Sequence, residues 1–269
     1  MSLLSIEIEA FADALLKLPD AALSQDWSGV PGEDNWQEYS DNLSDIVYLV
    51  YQKLRAFTIT LQSDRAKHGP AVTTAQRIMA QHQLAFRDFY GVMVGVRDEE
   101  LDKTPFKGEW SLRSNFAHIM LAECWSQGPK VRHALELRRT GREQAPMPAR
   151  TAVAENGVTI DYVSLCELLA SFEVYHDDLI YALADITDEE LNTPSIYWED
   201  EPVDLRFRLY RFAWHLRGHT LQADKIRVGI GHRMTDTQRL TRLLYSALGD
   251  AEGTLIGACL LYTSPSPRD

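Results

Sequence analysis

Apolar residues recur along most of this chain at alternating steps of three and four, the spacing that lays one side of an α-helix against a core. The clearest stripe is Leu205, Leu209, Phe212, Leu216, His219, Ala223, Ile226 and Ile230, which predicts a long helix with His219 on its buried side and His215 beside it, next to Phe212. Ile78, His82, Ala85, Phe89, Val92 and Val96 predict a second helix from Thr73 to Val96, again with a histidine, His82, facing inward. Leu165, Leu168, Leu169, Phe172, Tyr175, Leu179 and Leu183 predict a third over 161–184, with Glu167, Glu173, Asp177 and Asp178 as a mostly solvated face. Residues 110–125, WSLRSNFAHIMLAECW, read as a helix entered through Ser111, whose hydroxyl suits an N-cap. The fold class expected is all-α.

Helices are also expected outside this set. A short amphipathic helix covers residues 5–18 and stops at Pro19, a Gly, Pro and Trp containing connection follows from Asp26 to Trp36, and a longer helix runs from about Asn42 to Arg65. Leu43, Ile46, Val47, Val50, Leu54, Phe57 and Leu61 mark the apolar side of that longer helix. After Gly231 a further helix starts at Thr235 and carries Leu240, Leu243, Leu244, Ala247 and Leu248. Residues 140–160 hold Gly141, Pro146, Pro148 and Gly157 and read as a loop long enough to return the chain along the bundle. Helix 161–184 can then run parallel to helix 110–125, as a bundle with one long crossover requires.

A short echo punctuates the chain. Val96-Arg-Asp-Glu-Glu-Leu101 resembles Ile186-Thr-Asp-Glu-Glu-Leu191, and Leu18-Pro-Asp-Ala-Ala-Leu23 is a weaker third copy. Each follows a helix and precedes another, and the simplest reading is a recurring helix-exit turn with acidic capping residues.

Composition fits a globular chain of 269 residues, 45% hydrophobic and 25% charged. Its net charge of -12 repels phosphate backbones and anionic lipid, so neither nucleic acid nor a membrane surface is expected as a partner. The N-terminus lacks the basic flank of a targeting peptide and no run of eighteen apolar residues occurs, so the expected compartment is the cytoplasm. Residues 259–269, CLLYTSPSPRD, back-translate to sequencing-adapter sequence and are expected to be read-through rather than native chain. The remaining cysteines, Cys124 and Cys166, lie in predicted helices without Cys-x-x-Cys spacing and read as small hydrophobes, not as a disulfide or nucleophile.

The chemistry is expected from the histidines. His215 and His219, four apart, share a helix face about one turn apart, where a metal ion can bridge them. Such pairs also arise as ordinary core or exposed histidines. The combination of Trp110-Ser111, Ala117-His118-Ile119 and Glu123 with His215-x-x-x-His219 a hundred residues later resembles the DinB-like (DinB/YfiT-like) superfamily over about residues 73–232. That resemblance implies a four-helix bundle in up-down-down-up order and a divalent metal held by His118, His215 and His219. Residues 1–70 lie outside the resemblance and are expected as a helical N-terminal extension, part of a dimer surface or a hairpin against the bundle, with 233–258 as a C-terminal helix packing on the bundle.

The metal is not distinguished among zinc, nickel, iron and manganese, which all accept imidazole. The resemblance further implies an enzyme of thiol S-transferase type using a low-molecular-weight thiol and a small-molecule substrate. The alternatives are a non-catalytic binding or sequestering protein and a metal-dependent hydrolase. His82 is a further pocket candidate, with a satisfied core histidine as its ordinary reading. Glu123 is a candidate acceptor behind a ligand or an acid/base, against the ordinary reading of a surface glutamate. Trp198, with Tyr197 in the connection Asn192–Pro202, is a candidate pocket cover, and packing at the bundle end explains it equally well.

Overall fold

The computed structural model describes residues 3–26, 42–69, 71–142, 163–196 and 202–258. Helices account for most of them: α1 (Leu3–Leu16), α2 (Leu43–His68), α3 (Thr74–Met93), α4 (Leu112–Met120), α5 (Gly128–Thr140), α6 (Leu165–Leu183), α7 (Leu205–Gly229) and α8 (Asp236–Leu255). Their starts are written in the sequence. Asn42, Thr73, Ser111, Ser164, Asp204 and Thr235 each cap a helix by accepting a backbone amide on the side chain, and Gln76, Glu167 and Gln238 complete capping boxes. The connection after α6 departs from the expected loop. Pro194–Ile196 and Pro202–Asp204 form a small antiparallel ribbon, with Ser195 opposite Val203. Tyr197 and Trp198 lie outside the described residues, as do most of the 140–160 connection and the 259–269 tail.

Hydrogen-bond partners fix the relative directions of α3, of α4 and α5, which continue one rod, and of α6 and α7. Gln76, Gln83 and Tyr90 on α3 reach Ala184, His176 and Leu169, so α3 and α6 run antiparallel. Arg132 and Arg139 on α5 reach Asp178 and Asp185, so α5 and α6 run parallel. Asn115 reaches the His219 carbonyl, and Arg208 reaches Gln127, so the α4–α5 rod is antiparallel to α7. Between these helices Phe86, Phe89, Phe116 and Phe172 form the aromatic centre of the core, all at most 1% exposed.

A second layer covers the outer side of α3. There α8 lies along α3 and is flanked by α1 and α2, and Ile8, Ala12, Leu15, Val47, Leu54, Leu244 and Leu248 share one apolar cluster. Contact between α3 and α8 is close enough that a Cβ on Gly249 would stand 2.9 Å from the Arg87 Cβ and 3.1 Å from the Leu84 Cα. In consequence α3 is buried on nearly every side, including the polar residues Gln76, Gln83 and Arg87.

Two expected stripes are displaced by polar residues. On α2 the buried position is Thr58 (2% exposed) and Phe57 is 44% exposed, because the Thr58 hydroxyl is satisfied by the Leu54 carbonyl and can be buried without loss. On α6 the inward stripe passes through His176, not Tyr175, which is 43% exposed. Glu173 leaves the solvated face and pairs with the buried Arg87.

The echoed motif is a structural device. All three copies contain 3-10 turns at helix exits, Asp20–Ser24, Asp98–Glu100 and Glu190–Asn192, and Leu23, Leu101 and Leu191 are buried beneath them. The aspartate at the equivalent position of each copy caps a different helix. Asp20 accepts from Asp236 and Thr237 at the start of α8, Asp98 from Leu165 at the start of α6, and Asp188 from Thr74 at the start of α3. Each exit turn thereby satisfies amide donors left unpaired at the start of a helix distant in sequence and places negative charge at a positive helix end. Asp98→Ala is expected to cost about 1 kcal/mol, the usual worth of a side-chain cap, measured as a lowered urea midpoint at unchanged m-value.

Candidate metal centre

The three histidines of the sequence reading converge. His118 comes from the last turn of α4, and His215 and His219 come from consecutive turns of α7. One nitrogen from each ring lies within 4.8 Å of the others, and the ring centroids are 4.5 to 5.1 Å apart. His118 Nε2 and His215 Nε2 face each other at 3.1 Å. Ligand nitrogens on a tetrahedral ion with bonds of 2.0–2.1 Å stand about 3.3 Å apart, so this pair is spaced for a shared ion. Three nitrogen donors from two helices are a set that a divalent ion accepts.

Neighbours orient the rings. The Gln222 side-chain oxygen receives the His219 Nδ1 proton at 3.0 Å, which leaves Nε2 as the bare lone pair. Trp110 stacks on His219 with planes 2° apart and also contacts His118, so the residue just before the Ser111 cap becomes a wall of the cluster. Asn115, one turn before His118, donates to the His219 carbonyl and ties α4 to α7 at this level. All three histidines are half-buried, and in α7 it is Thr220, not His219, that occupies the fully buried position (1% exposed). The Thr220 hydroxyl bonds to the Leu216 carbonyl, so the core tolerates it, and the chain rotates His219 to the edge where solvent and ligands reach.

Burial sets the charge state. It lowers the pKa of His118 and His219, and burial together with the neighbouring His219 and His118 pushes His215 down to about 3. The imidazoles are therefore neutral at pH 7, the form that binds metals. Stability follows with a definite sign. The unfolded chain takes up protons near pH 6.5 while the folded cluster resists them, so the stability tied to these groups is full above about 6.5 and is lost as pH falls toward the folded value. Metal-free protein is expected to show a falling urea midpoint from pH 7 to 5, and a His215→Gln variant a shallower fall.

Glu123 is not the surface glutamate of its ordinary reading but is 2% exposed. An α-helix would set it roughly 140° around from His118, at 100° per residue. The rod is π-helical from Leu121 to Gln127, and this wider turn carries Glu123 into the interior. Gly128 and Pro129 close the distortion. Pro129 cannot donate an amide, and a Cβ on Gly128 would lie 2.7 Å from the Glu123 carbonyl oxygen. Glu123 Oε2 meets His82 Nε2 at 3.0 Å, and the His82 ring packs edge-on against His176. His82 is thus buried and partnered, and His176 is a cluster member the sequence reading did not include. Its place between Phe172 and Leu179 at helical spacing was the available signal.

Cys124, next to Glu123, has its thiol pKa raised by burial and by that carboxylate, which keeps it protonated and unreactive. Elsewhere on α7, Phe207, Tyr210, Arg211, Ala213, Trp214 and Arg217 line a groove of about 710 Å³ together with Gln81 of α3. Arg211 stands one turn before His215, close enough that its charge contributes to holding His215 neutral.

Fold and site together define an all-α bundle protein with a three-histidine candidate metal centre between two of its helices. A model of the DinB superfamily matches residues 81–223, just over half of the chain, and the chain belongs to that superfamily. The matched span contains all six clustered residues, His82, His118, Glu123, His176, His215 and His219. No curated protein and no solved structure matches the chain. No helix among the described residues is long and apolar enough to cross a membrane.

Proposed function

We propose that the chain is a divalent-metal-dependent enzyme of thiol S-transferase type, with His118, His215 and His219 as the metal ligands. The observation that carries this reading is the convergence of three neutral, half-exposed imidazoles whose nitrogens lie within 4.8 Å. Three protein ligands leave coordination positions open, and an ion held there supplies the charge that lowers the pKa of a bound thiol. The protein residues do the rest. Trp110 and Gln222 hold the His219 ring, and burial keeps the ligands unprotonated. The choice of a thiol as nucleophile rests on the superfamily resemblance.

The test is a conjugation assay with low-molecular-weight thiols and an electrophile panel, run on metal-loaded and metal-free protein. The loaded form is expected to accelerate conjugation, with the rate rising as pH passes the lowered thiol pKa. Saturable binding of the small molecules without turnover in either form would replace the transferase by a sequestering protein.

A further inference from the structure

The geometry points to a second metal site, closed inside the bundle and formed by His82, Glu123 and His176, for a divalent first-row ion of zinc type. These residues come from α3, the π-helical turn and α6, and each offers a ligand atom within 4.8 Å of the other two. They are 0%, 2% and 1% exposed. Two imidazoles and one carboxylate are a donor set that zinc and its neighbours accept. The inference does not depend on the cluster at His118, His215 and His219.

Unpaired atoms indicate that something belongs there. His82 Nδ1, His176 Nδ1 and Glu123 Oε1 are all buried without a hydrogen-bond partner. Buried polar atoms are rarely left so, because each forfeits its hydration. All three belong to the residues of one cluster, the signature of a ligand set more than of a packed core.

The surroundings fix His176 as a ligand. Glu252 of α8 accepts from the Gln83 amide nitrogen at 2.7 Å, which turns the Gln83 oxygen toward His176 Nε2 at 2.8 Å. His176 must donate from Nε2, so its orphaned Nδ1 is a bare lone pair. The Phe86 ring stacks on the imidazole at 3.8 Å with planes 3° apart, locking its orientation. Metal-bound histidines are held in this manner, the other ring nitrogen donating to a fixed acceptor. Burial also keeps His176 neutral, with its pKa well below 6.5.

His82 Nε2 and Glu123 Oε2 lie 3.0 Å apart within the cluster. The site has no exposed member and thus no substrate position, so its ion ties α3, the π-helical turn and α6 together.

The decisive experiment uses the full chain and zinc alone. Protein produced with zinc is crystallised, and anomalous difference density is measured at the zinc edge, with zinc per chain determined by elemental analysis. A peak among His82, Glu123 and His176 is expected, together with loss of one zinc equivalent in both His176→Gln and Glu123→Gln. The His118→Ala, His215→Ala, His219→Ala triple variant is expected to keep the buried equivalent, so failure of the three-histidine reading shows separately, as a missing peak at that cluster only. The proposal is overturned by wild-type crystals with no density at the buried residues, an outcome that does not require any variant to fold. It is equally overturned by unchanged zinc content in His176→Gln.

Discussion

A His215→Ala variant is expected to bind a divalent ion at the His118, His219 cluster more than about 100-fold more weakly than wild type, with metal-dependent conjugation falling in step. Loss of an outer-shell partner alone costs 10- to 100-fold in affinity, and removing a ligand removes a bond as well as its orientation. His215 is the choice because it faces His118 Nε2 at 3.1 Å and is the most strongly neutralised of the three. Its own environment makes the variant structurally mild, since the residue is half-buried and lies between Trp214, which is 65% exposed, and Leu216. Isothermal titration with zinc on a background where His176 is replaced isolates this cluster. Unchanged affinity there would remove His215 from the ligand set.

The largest stability effect is expected at Arg87. Its guanidinium is 2% exposed and meets Glu252, Glu173 and Glu9, carboxylates from α8, α6 and α1. Burial alone would lower its pKa, but the three carboxylates outweigh that and raise it, so Arg87 stays charged. The same burial raises the pKa of Glu173, which Arg87 partly offsets. Arg87→Met keeps much of the volume and removes the charge that compensates three acids, an imbalance that costs about 3–5 kcal/mol when one partner of a buried pair is lost. For a chain of this size the expected fall in unfolding midpoint is roughly 10 °C. Because Glu252 also holds Gln83, the variant is further expected to loosen His176, read by its imidazole proton resonances. A midpoint within a degree or two of wild type would mean the network contributes specificity and little stability.

Much of the architecture was legible because its carriers are local. Capping side chains sit within three residues of the amides they satisfy, so Thr73, Ser111 and Thr235 announce helix starts without knowledge of the fold. Apolar periodicity identifies the face of α7 that turns inward because burying Leu209, Phe212 and Leu216 dominates its energetics. The His215, His219 spacing is likewise a property of one helix, and the superfamily resemblance added His118 from another.

Tertiary structure alone decided where polar groups go. Arg87, His176, Glu123 and Thr58 are buried because partners far along the chain satisfy them, or in the case of Thr58 a carbonyl one turn back, and a hydropathy pattern counts them as solvent-facing. The π-helical turn that draws Glu123 inward closes locally, Gly128 donating to the Glu123 carbonyl, but it is packed at Gly128 against Leu179 of α6, a contact between separate helices. Even the echoed aspartates show the division: their spacing marks a turn, but which helix each one caps is set by packing, since an unpaired amide binds whichever carboxylate the fold brings within about 3 Å. The sequence by itself determined the helices, their apolar faces and one histidine pair, all short-range or periodic properties. The assembly of six chemically capable side chains into two neighbouring clusters was decided only when the helices packed, because each cluster draws its members from helices far apart in sequence, His118 and His215 being 97 residues apart and His82 and Glu123 41.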